Sequence, residues 1–148
     1  MTSKQTTGQI ETMAQACIAV RMRLLNRVVT NIYDDALRPL GIKVSQMNIL
    51  VAAAKLGTAR PAVVCDFLQL DTSTLSRNVE RMVANGWLEI VPDDDGRTQP
   101  FRVSTKGKRL IEQAFPAWQK AQQQATDLLG QKGVDLLRES CATLRARR

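Results

Sequence analysis

From Ile10 to Arg38 the chain runs without a proline or a glycine, and its apolar residues return at helical intervals. Ile10, Met13, Cys17, Leu24, Val28, Ile32 and Leu37 form a stripe that Ile18, Leu25, Val29 and Ala36 widen. That spacing predicts a helix of about eight turns. A chain of 148 residues cannot cover so long a stripe alone, because helices draw most of their stability from tertiary packing. The free end of this helix is therefore expected to pack on another chain. Arg38-Pro39-Leu40-Gly41 stops it, since proline disfavours helix before it and glycine suits the turn after it.

The rest of the chain is punctuated more closely. Ser45 opens a second helix, with Met47, Leu50, Val51 and Ala54 inward and Gly57 as its stop. Pro61 suits the first position of a short third helix, whose apolar face is Val64, Cys65 and Leu68. Gln69-Leu70-Asp71 turns into a fourth helix, from about Thr72 to Asn85, closed by Gly86. Short helices joined by a tight turn make a helix-turn-helix arrangement. Trp87 to Val91 then has strand character and ends at Pro92. The polar stretch from Asp93 to Gln99 turns at Gly96, and Phe101-Arg102-Val103 returns as a second strand. Ser104 caps a helix from Thr105 to about Leu129. Leu110, Ile111, Ala114, Phe115 and Trp118 are its apolar side, and Pro116 predicts a kink. Gly130 and Gly133 break it before a last helix, Val134 to about Arg145, carrying Leu136, Leu137, Cys141 and Leu144. The expected fold is mainly α with a small β-hairpin. A winged helix-turn-helix region over 44–104 is flanked by dimerisation helices over 10–40 and 105–148, all within one chain 1–148.

Composition removes several functions. At 44% hydrophobic residues a core can form, and only 4% aromatics suit helices packed on aliphatic side chains. The absence of histidine removes a histidine general base, a Ser-His-Asp triad and histidine-bound metals. No Gly-rich phosphate loop is present, and no enzyme activity is expected. The three cysteines are too few and scattered for a disulfide framework or a zinc site, so no metal or other cofactor is expected. No apolar run approaches the roughly 20 residues that cross a bilayer. The amino terminus shows no secretory pattern, so the expected place is the cytoplasm, with no membrane partner.

The net charge of +7 favours a polyanionic partner. It is spread unevenly: residues 21–60 carry seven basic groups against two acidic, and 101–120 five against one. Residues 61–100 are net acidic, so contacts with double-stranded DNA must come from particular places on the fold. The fourth helix supplies one. Leu75, Val79, Met82 and Val83 make its buried stripe, while Thr74, Arg77, Asn78 and Arg81 make a separate polar stripe with Thr72 and Ser73 at its start. Hydroxyls at a helix start can bond phosphate or base edges; arginine can fork onto guanine and asparagine onto adenine. The bland alternative is a solvated face with capping hydroxyls. In the hairpin, Arg97 beside Gly96 is placed to enter a minor groove, Asp95 can hold its guanidinium, and Arg102, Lys106 and Lys108 can add phosphate contacts.

Leu70-Asp71-Thr72-Ser73-Thr74-Leu75-Ser76-Arg77, Asp95-Gly96-Arg97, Val103-Ser104-Thr105-Lys106-Gly107 and Phe115-Pro116-Ala117-Trp118 resemble the MarR family of bacterial transcriptional regulators, over roughly residues 10 to 146. The resemblance implies a homodimer held by the terminal helices on a near-palindromic operator, usually a repressor released by a small ligand or by oxidation. It places the fourth helix, with Ser76 among its contacts, in the major groove and Arg97 in the minor groove. Arg60-Pro61 stands where the family often has Ser or Thr, so Arg60 becomes a phosphate contact instead. For a small aromatic or other small-molecule effector, Tyr33, Met47 and Trp118 are the candidates, with core packing as their alternative role. A peroxide-sensing branch uses a first-helix cysteine near tyrosines. Cys17 falls over half a turn from that place, and Val44 replaces the second tyrosine. Cys17 is thus expected to be a buried apolar residue. The remaining alternatives are a cysteine-based redox sensor of the same fold and a helical interaction protein that does not touch DNA.

Overall fold

The computed structural model describes residues 2–147. Its elements are α1 (Thr2–Ala16), α2 (Ile18–Leu37), a 3-10 turn (Arg38–Leu40), α3 (Val44–Leu56), α4 (Pro61–Leu68), α5 (Thr72–Ala84), β1 (Leu88–Ile90), β2 (Phe101–Val103) and α6 (Thr105–Ala146). The order is that of a winged helix-turn-helix with long terminal helices, as the sequence predicts.

The first long helix departs from expectation twice. It begins at Thr2, with Gly8 inside it, because one glycine costs a helix only about 1 kcal/mol. It also breaks at Cys17, whose φ of −64° and ψ of 112° are extended. The Arg21 guanidinium reaches back to the carbonyl of Cys17 at 3.0 Å and to that of Gln15, giving partners to acceptors left by the break. Gly41 (φ +70°) reverses the chain after the 3-10 turn, its N–H donating to the carbonyl of Arg38 at 3.0 Å.

Helix α3 starts one residue before Ser45. Asp34 accepts from the Val44 N–H at 2.8 Å, and the Gln46 side chain accepts from the Lys43 N–H at 3.1 Å. Its buried face is Met47, Ile49, Leu50, Ala52 and Ala53; Val51 and Ala54, expected inside, are exposed. The segment is apolar on nearly every side, so its periodicity does not pick one face. Helix α4 opens at Pro61 and ends at Gln69, which takes the left-handed conformation at φ +55°. Leu75 and Met82 of α5 are buried, and Val79 and Val83 are half-buried.

The strands pair antiparallel, Leu88 with Val103, Glu89 with Arg102 and Ile90 with Phe101. Ala59 adds a bridge unseen in the sequence: its N–H and carbonyl exchange hydrogen bonds with Phe101 at 2.8 and 3.0 Å. This clamps the hairpin to the segment before α4. Phe101 sits fully buried in one core with Leu37, Ile49, Leu50, Val64, Leu75, Met82 and Leu88.

Helix α6 is seated on the hairpin. The Ser104 hydroxyl donates to the carbonyl of Gly86 at 2.6 Å and accepts from the Gly107 N–H at 3.0 Å. A Cβ on Gly107 would lie 2.2 Å from the Trp87 carbonyl oxygen, so no other residue fits there without movement. Ala114, Ala121 and Ala125 are its buried alanines. Pro116 keeps helical backbone angles; the interruption falls at Gly130 (φ 68°, ψ 161°), and Gly133 lies inside the helix that follows. The terminal helices leave Ile10, Met13, Ile18, Val20, Leu24, Leu128, Leu136 and Leu144 exposed.

Candidate nucleic-acid interface

Helix α5 begins at Asp71, whose side chain does more than cap. One carboxylate oxygen accepts from the Thr74 N–H at 2.7 Å and the Ser73 hydroxyl at 2.6 Å; the other accepts from the Thr74 hydroxyl at 2.6 Å. These bonds, that from Ser73 foremost, hold the Asp71 carboxyl far below the usual carboxylate range. Ser76 faces Glu80 at 3.4 Å, and the Asn78 amide donates to the carbonyl of Thr74 at 2.9 Å. The amide proton used there leaves Asn78 one further donor and its carbonyl. Thr72, Ser73, Ser76, Arg77 and Arg81 are exposed, and Thr74 and Asn78 half-buried. Among the described residues, Arg77 and Arg81 form no ion pair.

The wing is held by a residue the sequence did not single out. Asp93 accepts from the Thr98 hydroxyl at 2.8 Å and pairs with Arg60 at 3.2 Å, and these contacts lower its carboxyl below the ordinary range, Thr98 contributing most. Arg60 thus reaches the wing through one guanidinium nitrogen, while the side chain stays exposed and its remaining N–H donors are open to solvent. Asp95, expected to grip the Arg97 guanidinium, acts through its main chain: its carbonyl accepts from the N–H groups of Arg97 and, at 3.2 Å, Thr98. Arg97 is exposed and in no ion pair among the described residues. Arg102 pairs across the strands with Glu89 at 3.1 Å. Lys106 donates to the carbonyl of Asn85 at 2.8 Å, closing the carboxyl end of α5. Between α4, α5 and the wing lies a groove of about 700 Å³, with Pro61, Cys65, Ser76, Val79, Arg97 and Phe101 in its wall.

The three residues considered for an effector do not line that groove. The Tyr33 hydroxyl donates to Gln122 of α6, and burial pushes its pKa up. Met47 belongs to the core, and Trp118 stacks on Phe115 with ring centres 6.0 Å apart. Cys17 is half-buried at the helix break, not buried within a helix. Among the described residues, no His, Cys, Asp and Glu group could hold a metal, and no helix is long and apolar enough to cross a membrane.

What sequence reasoning missed divides by range. The Asp71 cap could have been read, since an aspartate before three hydroxyl residues is a helix-start signal. The Arg60–Asp93 pair and the Lys106 cap join residues distant in the chain, and no local signal announces them.

Residues 40–97 match the model of the MarR family. The chain is 26% identical over 93 residues to the multiple antibiotic resistance protein MarR of Escherichia coli, covering 62% of this chain and 65% of that protein. It is 25% identical over 122 residues to its namesake in Salmonella typhimurium, covering 82% and 81%. The chain thus spans just under two thirds of the first relative. Among solved structures, a mutant E. coli MarR complexed with operator DNA superposes with a TM-score of 0.78 at 22% identity, over 90% of this chain and 96% of that one. The Mycobacterium tuberculosis regulator MOSR in complex with DNA gives 0.74 at 24% identity, over 89% and 98%. At these identities the superpositions establish the fold.

Proposed function

Because residues 40–97 match the model of the MarR family, we propose that the chain is a member of it and a sequence-specific double-stranded DNA-binding transcriptional regulator. It acts as a homodimer on a near-palindromic operator in the cytoplasm, as a repressor relieved by a small-molecule effector, and it carries out no catalytic step. The observation that carries this reading is the exposed trio of Arg77, Arg81 and Arg97, in no ion pair among the described residues, two on one face of α5 and one on the adjoining wing. Arginines without carboxylate partners are available to a polyanion, and their placement on a helix and a wing matches the shapes of the two grooves.

The roles then follow from chemistry. Helix α5 enters the major groove, where Arg77 can fork onto a guanine and Asn78 read an adenine with its free amide groups. Arg81, Arg102 and Arg97 neutralise backbone charge, Arg97 from within the minor groove. Lys106 and Asp93 work indirectly, one closing α5 and the other fixing the wing. The terminal helices supply the dimer: their exposed aliphatic side chains gain most by covering one another. A dimer sets two α5 helices about 34 Å apart, one helical turn of DNA. An effector that altered that spacing would release the operator.

The test is a binding titration at several salt concentrations, with a duplex enriched from a random pool and an unrelated duplex of equal length. A regulator shows a steep fall of affinity with salt and a preference for the enriched duplex that survives it. Equal affinity for both duplexes, or none for either, would overturn the reading.

A further inference from the structure

Three protons at the start of α5 are spoken for. Those of the Ser73 and Thr74 hydroxyls and of the Thr74 N–H all point at the Asp71 carboxylate, at 2.6, 2.6 and 2.7 Å. A hydroxyl has one proton to donate and two lone pairs to accept with, and an ionised carboxylate only accepts. Bonds of this charge-assisted kind are roughly twice as strong as neutral ones, so docking does not readily undo them.

We propose that Asp71 sets the sense in which Ser73 and Thr74 read DNA: with both hydroxyl protons held inward, the two oxygens meet the major groove as acceptors and select the donating amino groups of cytosine or adenine. This rests on the reading of α5 as the major-groove helix. It narrows what those hydroxyls can do. A phosphate oxygen offers no proton, and neither side chain has one to give it. The amino end of a helix is ordinarily a place for phosphate, and here the Asp71 carboxylate takes the Thr74 N–H and sets a negative charge beside it. The Ser73 and Thr74 hydroxyls therefore contribute base selection and not phosphate contacts. Asp71 is a positioning residue in this scheme and touches no base itself.

The experiment is enrichment from a duplex pool randomised over both half-sites, using the full chain and the variants Ser73→Ala, Thr74→Val and Asp71→Asn, each checked for folding by thermal melting. Ser73→Ala and Thr74→Val each flatten the preference at one position per half-site, and the wild type enriches cytosine or adenine at those positions. In Asp71→Asn the carboxamide oxygen still caps the Thr74 N–H, while its NH2 donates to one hydroxyl and turns that proton outward. The base enriched there changes to guanine or thymine, whose major-groove atoms accept, by about tenfold. A general loss of affinity in Asp71→Asn with every preferred base unchanged reduces Asp71 to a helix cap and overturns the proposal. So does enrichment of guanine or thymine by the wild type at the positions that Ser73→Ala and Thr74→Val flatten, which also decides the matter should Asp71→Asn fail to fold. A wild type that enriches no sequence at all instead sinks the DNA-binding reading on which the proposal stands.

Discussion

The winged helix-turn-helix head and the terminal arms are built on the same helical periodicity and end in opposite states. In the head, Leu50 and Phe101 are 0% exposed and Leu75 1%. In the arms, Met13 is 72% exposed, Leu24 61%, Leu136 64% and Leu144 62%. The head closes its core within one chain; the arms hold their apolar stripes open. Burying one such side chain stabilises by about 1.5–3 kcal/mol, so two sets of arms have a strong reason to meet. An apolar stripe says that a face wants covering. It does not say by which chain.

The largest effect expected from this contrast follows removal of an arm. Deleting residues after Gly130 strips Leu136, Leu137 and Leu144 but leaves every residue of the head in place. The truncated chain should sediment as monomers or aggregates, and operator affinity should fall about a hundredfold or more, because two half-sites are no longer bound by one particle. A truncated chain that remains a well-behaved dimer would break the comparison.

Two glycines sharpen it from the other side. A Cβ on Gly107 meets the Trp87 carbonyl oxygen at 2.2 Å, whereas one on Gly8 meets nothing within 4 Å. Gly107→Ala should therefore cost the head about 3 kcal/mol in urea unfolding, a severe case of overpacking. Gly8→Ala should leave stability unchanged or raise it by up to about 1 kcal/mol through helix propensity alone. Equal costs at both glycines would mean the arm is packed as tightly as the head.

The same contrast explains what the sequence let one see. The helices of the head are legible because Gly57, Pro61, Gly86 and Pro92 punctuate them, and α5 is legible down to its two faces because its apolar and polar residues alternate cleanly. Helix α3 was legible in position but not in rotation, since Ile49 and Ala53 compete with Val51 and Ala54 on chemically similar faces. The break at Cys17 has no local breaker, and Arg21 reaches back to its carbonyl from the next turn. Gly130 and Gly133 look alike as letters, and only the first takes a left-handed φ. At the interface, Arg77, Arg81 and Arg97 emerge free, as a polar stripe and a turn suggest. Arg60 and Lys106 each carry one contact that the sequence does not announce, because their partners, Asp93 and Asn85, lie 33 and 21 residues away.

Among the head's own side chains, Arg77 should matter most. Arg77→Ala should cost about 1–3 kcal/mol on the enriched duplex and blur the preference at one base pair in each half-site. The check is competition between the enriched duplex and single-position variants of it. An equal loss on enriched and unrelated duplexes would make Arg77 a phosphate contact.

The smallest effects belong to the wing, and they separate head from arms by their salt dependence. Arg97 should displace counterions and offer at most an A·T-versus-G·C preference, because the minor groove shows a degenerate pattern. Arg97→Ala should thus weaken many related sites together and reduce the slope of log affinity against log salt by about one. Asp93→Ala leaves Arg97 its charge but removes the acceptor shared by Thr98 and Arg60, so the wing loses its fixed position. Affinity should drop by less than in Arg97→Ala, and freed Arg60 should keep the slope from shrinking. Asp95→Ala should change affinity by about twofold at most, because the wing uses only the main-chain carbonyl of Asp95 and an exposed side-chain charge contributes little. Substitutions in the arms, by contrast, should lower affinity without altering the slope on the dimer that remains, since they touch no phosphate. A salt titration on one duplex with these variants measures all four. If Arg97→Ala keeps the wild-type slope, the wing does not reach DNA, and the head binds through α5 alone.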